Sequence, residues 1–324
     1  MRYQRLGGSN LKISCLGLGG NIFGAFCNIH ATAKIVNAAR DMGINFIDTA
    51  NVYSDGLSES YIGKAIHGSR DHWVIASKVG VRSDESPQKK GRRENILNSV
   101  EGSLMRMNVD HIDLYQMHHF DAETPLEETL SILDVLVKQG KVRYIGVSNF
   151  SGEQLKTALV VSREQGLKTF VSTQNHYNLF KRNIERDIFP LCNSEKIGVM
   201  VYGALARGIL SGKYRDGKEI PPDSRASISM DIKADLTGTV LNAVSSLDLF
   251  AKKYGKTVRD LALAWVLKRQ EVSTVLIGVR NVEQLRDNVH AIDWELSETE
   301  LHATHKLVGD LKCFQSVSLG SFPS

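Results

Sequence analysis

The sequence predicts an α/β fold: a (β/α)8 TIM barrel occupying residues 1–324 as a single domain, with extra helices and an N-terminal hairpin. Three observations carry this expectation. Eight short apolar runs alternate with segments of helical periodicity. Each interval between runs is long enough for a crossover helix, which parallel neighbours require. Residues able to do chemistry gather at the carboxyl ends of the runs, where such barrels collect their ligands.

Taken in order, residues 2–12 suit a short hairpin closing the bottom of the barrel. The apolar runs then fall at 14–18, 45–49, 73–77, 112–117, 144–147, 170–173, 199–202 and 275–277. Helical patterns follow at roughly 31–42, 58–66, 93–107, 126–139, 152–165, 184–194, 258–268 and 282–289. Some helix starts carry their own caps. Ser151 with Gln154 fits a capping box, and Thr257 stands as N-cap before an apolar-periodic run. Outside the repeat lie a polar loop from Lys213, a helical pattern over 240–254, and a Ser- and Gly-rich tail over 313–324 expected to be loop.

Composition narrows the function. Hydrophobic residues at 42% and charged residues at 23% are ordinary globular values. The net charge of +4 is spread along the chain, and its one basic cluster, Lys89-Lys90-Gly91-Arg92-Arg93, reads as a solvated loop or helix start. No nucleic-acid partner is expected. Cys15, Cys27, Cys192 and Cys313 are far apart and lack CxxC spacing, so free thiols in a reducing compartment are expected, with no metal. The N-terminus has no apolar core after its charges, and no stretch approaches a membrane span. A soluble, cytoplasmic protein without a membrane partner follows; oligomerisation stays open.

The chemistry concentrates at strand ends. Ile44, Phe46 and Ile47 deliver Asp48, Tyr53 follows five residues later, and the run from Trp73 ends at Lys78. An acid, a tyrosine and a lysine on neighbouring strands suggest a proton-donating site. The fourth strand ends in Gln116-Met117-His118. After the first strand, Gly17, Gly19, Gly20 and Gly24 fail the G-x-G-x-x-G spacing because the third position is Ile22. These glycines either admit a ligand's close approach or simply make the turn. Taken singly, each polar residue has an ordinary reading: Asp48 as a cap, Tyr53 as a packed aromatic, Lys78 as a solvated charge.

The order strand-two Asp, following-loop Tyr, strand-three Lys and strand-four His resembles the aldo-keto reductase superfamily, in its short-loop branch of bacterial and potassium-channel β-subunit-like proteins. The segments LYQMH, GVSNF, QNHYNL and GILSGKY resemble family motifs, over a span from Gly17 to Asn288. The resemblance implies NADPH-dependent reduction of an aldehyde, ketone or keto sugar, or the reverse oxidation, by direct hydride transfer. Tyr53 would be the general acid, Lys78 the cation lowering its pKa, Asp48 the carboxylate holding Lys78, and His118 the donor orienting the substrate oxygen. His119, by strand alternation, would go to another face or into the loop; with Phe120 and Phe23 it is a candidate pocket wall.

The resemblance also implies a cofactor site. Ser148, Asn149 and Gln174 would meet the nicotinamide carboxamide, and Tyr202 would stack on its ring. Gly20 is carried over with this set, and Leu205 and Lys213 belong to the loop covering the pyrophosphate. That loop has Gly203-Ala204 where Ser-Pro is commoner in the family, so one hydroxyl contact is missing and the loop is expected to be more mobile. Gly278, Arg280, Gln284, Asp287 and Asn288 would form the adenosine end. Arg280 argues for NADP(H), with NAD(H) still possible because Gln284 stands where some relatives carry a second base.

Two other readings use the same residues. A Schiff-base aldolase would employ Lys78 as nucleophile. A cofactor-sensing subunit would bind the nucleotide with little turnover, although such proteins often lack the histidine found here as His118. A zinc hydrolase lacks its spaced ligands. The substrate, a small-molecule carbonyl or alcohol, ranges over sugars, aryl aldehydes and small ketones.

Overall fold

A computed structural model describes residues 1–80, 91–214, 218–222 and 224–309. The expectations for Lys89, Lys90, Cys313 and the tail over 313–324 lie outside these residues. Among the described residues there are ten strands: β1 (Tyr3–Arg5), β2 (Lys12–Ser14), β3 (Leu16–Gly19), β4 (Phe46–Asp48), β5 (Val74–Val79), β6 (Ile112–Met117), β7 (Val142–Ser148), β8 (Ser172–His176), β9 (Gly198–Tyr202) and β10 (Val272–Ile277). The last eight close into an all-parallel barrel, with β10 pairing both β9 and β3. Strands β1 and β2 form the antiparallel hairpin.

The helices are α1 (Ile29–Asp41), α2 (Leu57–Ile66), α3 (Arg93–Met107), α4 (Leu126–Lys138), α5 (Gly152–Glu164), α6 (Ile188–Glu195), α7 (Arg225–Ile228), α8 (Met230–Asp235), α9 (Gly238–Lys252), α10 (Val258–Leu267), α11 (Val282–His290) and α12 (Glu298–Val308). Ser151 and Thr257 cap α5 and α10 with full capping boxes. Three places differ from the sequence reading. The pattern over 184–194 is broken: a short 3-10 turn precedes α6, whose start is set by Asp187 accepting from the Ile188 N–H at 2.8 Å. The loop after β9 contains α7 and α8. Helix α12, capped by a Ser297–Glu300 box, has no counterpart among the expected elements.

Strand alternation sorts the barrel's side chains into two sets. Leu16, Leu18, Ile47, Ile75, Tyr115, Met117, Ile145 and Val199 pack with the helices. The opposite faces contribute Phe46, Ala76, Leu114, Met200 and Leu276 to a separate apolar cluster that includes Leu6, Leu11 and Ile13 from the hairpin. The hairpin therefore plugs one end of the barrel, and Gln4 fastens it by donating to the Val272 and Ser273 carbonyls. At the other end, two residues beyond Phe46, Ala76 and Leu114 on the same faces, come Asp48, Lys78 and Gln116.

Candidate active site

The polar layer above that apolar fill is built strand by strand. Asp48 closes β4, and Lys78, on β5, is fully buried. Lys78 Nζ donates to Asp48 Oδ2 at 2.6 Å, to the Thr49 carbonyl at 2.9 Å and to the Tyr53 hydroxyl at 3.1 Å. An ammonium has three protons, so all are allocated. The Tyr53 oxygen accepts from Lys78, which leaves its own proton to point elsewhere. Burial disfavours the charged lysine, but Asp48 and Tyr53 outweigh it, and the pKa of Lys78 is raised.

Tyr53 is held by the turn after β4. Asn51 clamps Gly80 at the end of β5, accepting from its N–H at 2.9 Å and donating to its carbonyl at 3.1 Å. Ser54 and Asp55, at φ 49° and 54°, then carry the chain into α2 through left-handed backbone. Burial raises the Tyr53 pKa by more than Lys78 lowers it, with Asp48 adding to the rise. The lowered value expected from the lysine alone is therefore reversed: a neighbouring cation acts against desolvation, and desolvation is the larger effect here.

His118 follows β6, where its N–H donates to the Val79 carbonyl at 3.1 Å. Its ring meets Tyr53 edge-on at 5.7 Å and stacks on His119 at 4.9 Å. His119 thus lies in the loop with its ring against His118, since alternation ends with the strand. Phe120 packs edge-on against Phe150. Phe23 is buried in the core at 1% exposure.

Ser148 and Gln174 are register partners on β7 and β8, and Gln174 sits inside its strand rather than at its end. Ser148 Oγ donates to the Gln174 carbonyl, and Asn149 donates to Ser148 Oγ and to the His118 carbonyl, each at 3.1 Å. Asn149, at φ 61°, is held in the left-handed region, a cost borne where the surroundings fix it. Its Oδ1 accepts from the Tyr202 hydroxyl at 2.7 Å. The ring of Tyr202 stacks on His176 at 5.1 Å, and burial, then Lys181 and Arg207, press the His176 pKa down to about 3, which keeps the imidazole neutral.

Local packing accounts for the absence of a side chain at Gly17 and Gly20. A Cβ on Gly20 would stand 2.9 Å from Ser58 Oγ and 3.0 Å from the Asp48 carbonyl, and one on Gly17 would stand 2.7 Å from the Phe46 ring. Both positions are filled by neighbours. At Gly203, φ is 70° and a Cβ would lie 2.5 Å from His176, so the departure from Ser-Pro is matched by the histidine stacked under Tyr202. Leu205, half-buried, accepts at its carbonyl from the Gly208 and Leu210 N–H groups, which folds the loop. Lys213 is exposed, with its Nζ 5.2 Å from the Tyr214 ring centroid.

At the far end, the Arg280 guanidinium lies 4.4 Å from the Phe26 ring centroid, and the Arg280 N–H donates to Gln284 Oε1 at 2.9 Å. Gly278 is exposed beside them; Asp287 accepts from Arg259 at 2.8 Å, and Asn288 Oδ1 is buried without a hydrogen-bond partner among the described residues. Two residues here escaped the sequence reading. The guanidinium of Arg225 on α7 makes no hydrogen bond or ion pair within the described residues; burial, with Arg280 and Arg207 close by, lowers its pKa. Gln116 Nε2 donates to Asp48 Oδ1 at 3.0 Å. Its place in LYQMH, two residues before His118, was the available signal.

The sequence pattern of the Aldo/keto reductase family matches residues 15–308. The chain is 34% identical over 309 residues to the aldo-keto reductase YhdN of Bacillus subtilis (strain 168), covering 93% of this chain and 91% of that protein. It is 36% identical to the uncharacterized oxidoreductase YrpG of the same organism, covering 92% and 93%. A probable voltage-gated potassium channel subunit beta of Arabidopsis thaliana is 33% identical, over 90% and 92% of the two chains. With its strand-end residues set around a closed parallel barrel, the chain belongs to the aldo/keto reductase family of oxidoreductases acting on carbonyl groups.

Proposed function

We propose that the protein is an NADPH-dependent carbonyl reductase in which Tyr53 delivers the proton. The observation that carries this reading is the allocation of Lys78's three N–H groups, the last of them to the Tyr53 oxygen. A bound reduced nicotinamide would supply the hydride. As negative charge develops on the substrate oxygen, Tyr53 donates its proton there and Lys78 steadies the phenolate left behind. Asp48 keeps Lys78 charged, and His118, whose ring faces Tyr53, donates to the same oxygen. A tyrosine with a raised pKa is fully protonated at neutral pH, which suits an acid working toward reduction.

The residues present fit the nucleotide. Ser148, Asn149 and Gln174 present amide and hydroxyl groups on adjacent strands to a carboxamide, and Tyr202 offers a neutral ring for stacking. Leu205 and Lys213, in the loop after β9, would hold the pyrophosphate. Arg280 and Arg225, whose guanidinium has no partner among the described residues, would supply cations for phosphate, at the N-terminal side of α11. The buried Asn288 Oδ1, without a partner among the described residues, is an acceptor suited to an adenine amine. His119 and Phe120 border the substrate opening, while Phe23 supports it from the core.

A Schiff-base role for Lys78 requires a neutral amine, and this one is buried, triply hydrogen-bonded and raised in pKa. The second reading is a cofactor-sensing subunit with little turnover, favoured by the likeness to a protein named as a probable potassium channel subunit beta. A fluorescence titration with NADPH and NADH, followed by a panel of aldehydes and keto sugars, separates them. Tight NADPH binding with oxidation on adding a carbonyl supports the reductase. Tight binding with no turnover across the panel supports the sensor, and no binding of either nucleotide refutes both.

A further inference from the structure

Asp48 is gripped from two sides. Its Oδ2 receives Lys78, and its Oδ1 receives two buried carboxamides, Gln116 Nε2 at 3.0 Å and Gln174 Nε2 at 2.8 Å. Gln174 Nε2 also approaches Gln116 Oε1 at 3.4 Å. A carboxylate only accepts, so both amides must turn their N–H sides to it. Strand register brings Gln116 here: it lies opposite Lys78 across β5 and β6. Its partner on the intervening strand β7 is Gly146, which puts no side chain between the two amides.

We propose that Gln116 is a positioning residue for the proton donor: with Gln174 it fixes Asp48 in the orientation that grips Lys78, and through Lys78 it sets how firmly Tyr53 holds its proton. The inference rests on the reading of Tyr53 as the acid. Its physical basis is the opposition between Asp48 and Lys78 at Tyr53, where the carboxylate strengthens the hold on the proton and the ammonium weakens it. Two amide dipoles on Oδ1 draw negative charge from Asp48 and tip that balance toward Lys78. In a buried site, an N–H removed from Oδ1 is not replaced by water, so its loss is felt along the chain.

Gln116→Glu and Gln116→Met test this. An introduced carboxyl beside Asp48 cannot ionise freely, because two carboxylates in contact share a proton. When protonated it donates to Asp48 as the amide does; when ionised at higher pH it repels Asp48. In Q116E protein carrying tyrosine labelled with carbon-13 at the ring hydroxyl carbon, the Tyr53 resonance, assigned by its loss in Y53F, should therefore move through a step between about pH 5 and pH 8. Asp48, Lys78, His118, His119 and Tyr202 are the charged or titratable groups around Tyr53, and whatever they contribute is common to wild type, so the step is read as the difference between Q116E and wild type. Turnover of para-nitrobenzaldehyde by Q116E should fall about tenfold through the same interval. Q116M should lose about tenfold in kcat at every pH while its NADPH dissociation constant stays within about threefold of wild type. A Tyr53 resonance in Q116E that follows wild type, or a Q116M kcat within twofold of wild type, would overturn the inference. The resonance experiment needs neither nucleotide nor substrate, so it stands or falls separately from the proposed activity.

Discussion

Lys78 Nζ donates to the Tyr53 hydroxyl at 3.1 Å from within a barrel layer where the lysine itself has no exposed surface. The lysine works against burial at Tyr53, and burial is the stronger of the two. The Tyr53 pKa therefore lies above the ordinary tyrosine value of about 10. Reduction needs the protonated phenol, so its single-turnover rate should stay level from about pH 6 to pH 9 and fall only in more alkaline solution. Alcohol oxidation needs the phenolate and should rise with pH over the same range. Stopped-flow traces of NADPH oxidation and NADP reduction would check both; a reduction rate falling already between about pH 7 and pH 9 would contradict the assignment.

Arg280 stands close enough to Arg225 to disfavour the charge of Arg225, a cost that a bound phosphate would relieve. Arg280→Ala should weaken NADPH binding by about tenfold to a hundredfold, the scale of a lost charge-assisted hydrogen bond. NADH binding should change by less than about threefold. Arg225→Ala should also weaken NADPH. Fluorescence titrations decide: equal losses for both nucleotides in Arg280→Ala would remove Arg280 from contact with the 2′-phosphate.

Gly203 and His176 are coupled by shape. Gly203→Ser places a Cβ in left-handed backbone and 2.5 Å from the imidazole, so it should lower stability by about 1–3 kcal/mol. Adding His176→Ala should recover part of that loss by opening the space. Urea unfolding midpoints of wild type and the three variants give the coupling, and strictly additive changes would deny that the two residues share one steric constraint.

Much of the barrel was readable because its determinants are local. Alternation along a strand determines which residues share a face, so Phe46 with Asp48, and Ala76 with Lys78, could be placed from sequence spacing alone. The hairpin over 2–12 was visible for the same reason, as were the caps at Ser151 and Thr257. What escaped depends on contacts distant in sequence. Gln116 and Gln174 are 58 positions apart, and nothing near either shows that both amides meet Asp48. The direction of the Tyr53 pKa depends on desolvation, a property of the packed site. Arg225 sits on a four-residue helix whose sequence carries little helical signal. Helix α12 is different: its Ser297–Glu300 capping box was present to be read.

The most direct test of the account is Tyr53→Phe, which removes one oxygen and keeps the ring. NADPH should bind the variant within about threefold of wild type, because Tyr53 is assigned no part in holding the nucleotide. Carbonyl reduction under single-turnover conditions should fall by about 10²–10⁴-fold, the usual contribution of a positioned general acid. Nucleotide binding with turnover near the wild-type rate would contradict the account, since some other group would then be supplying the proton.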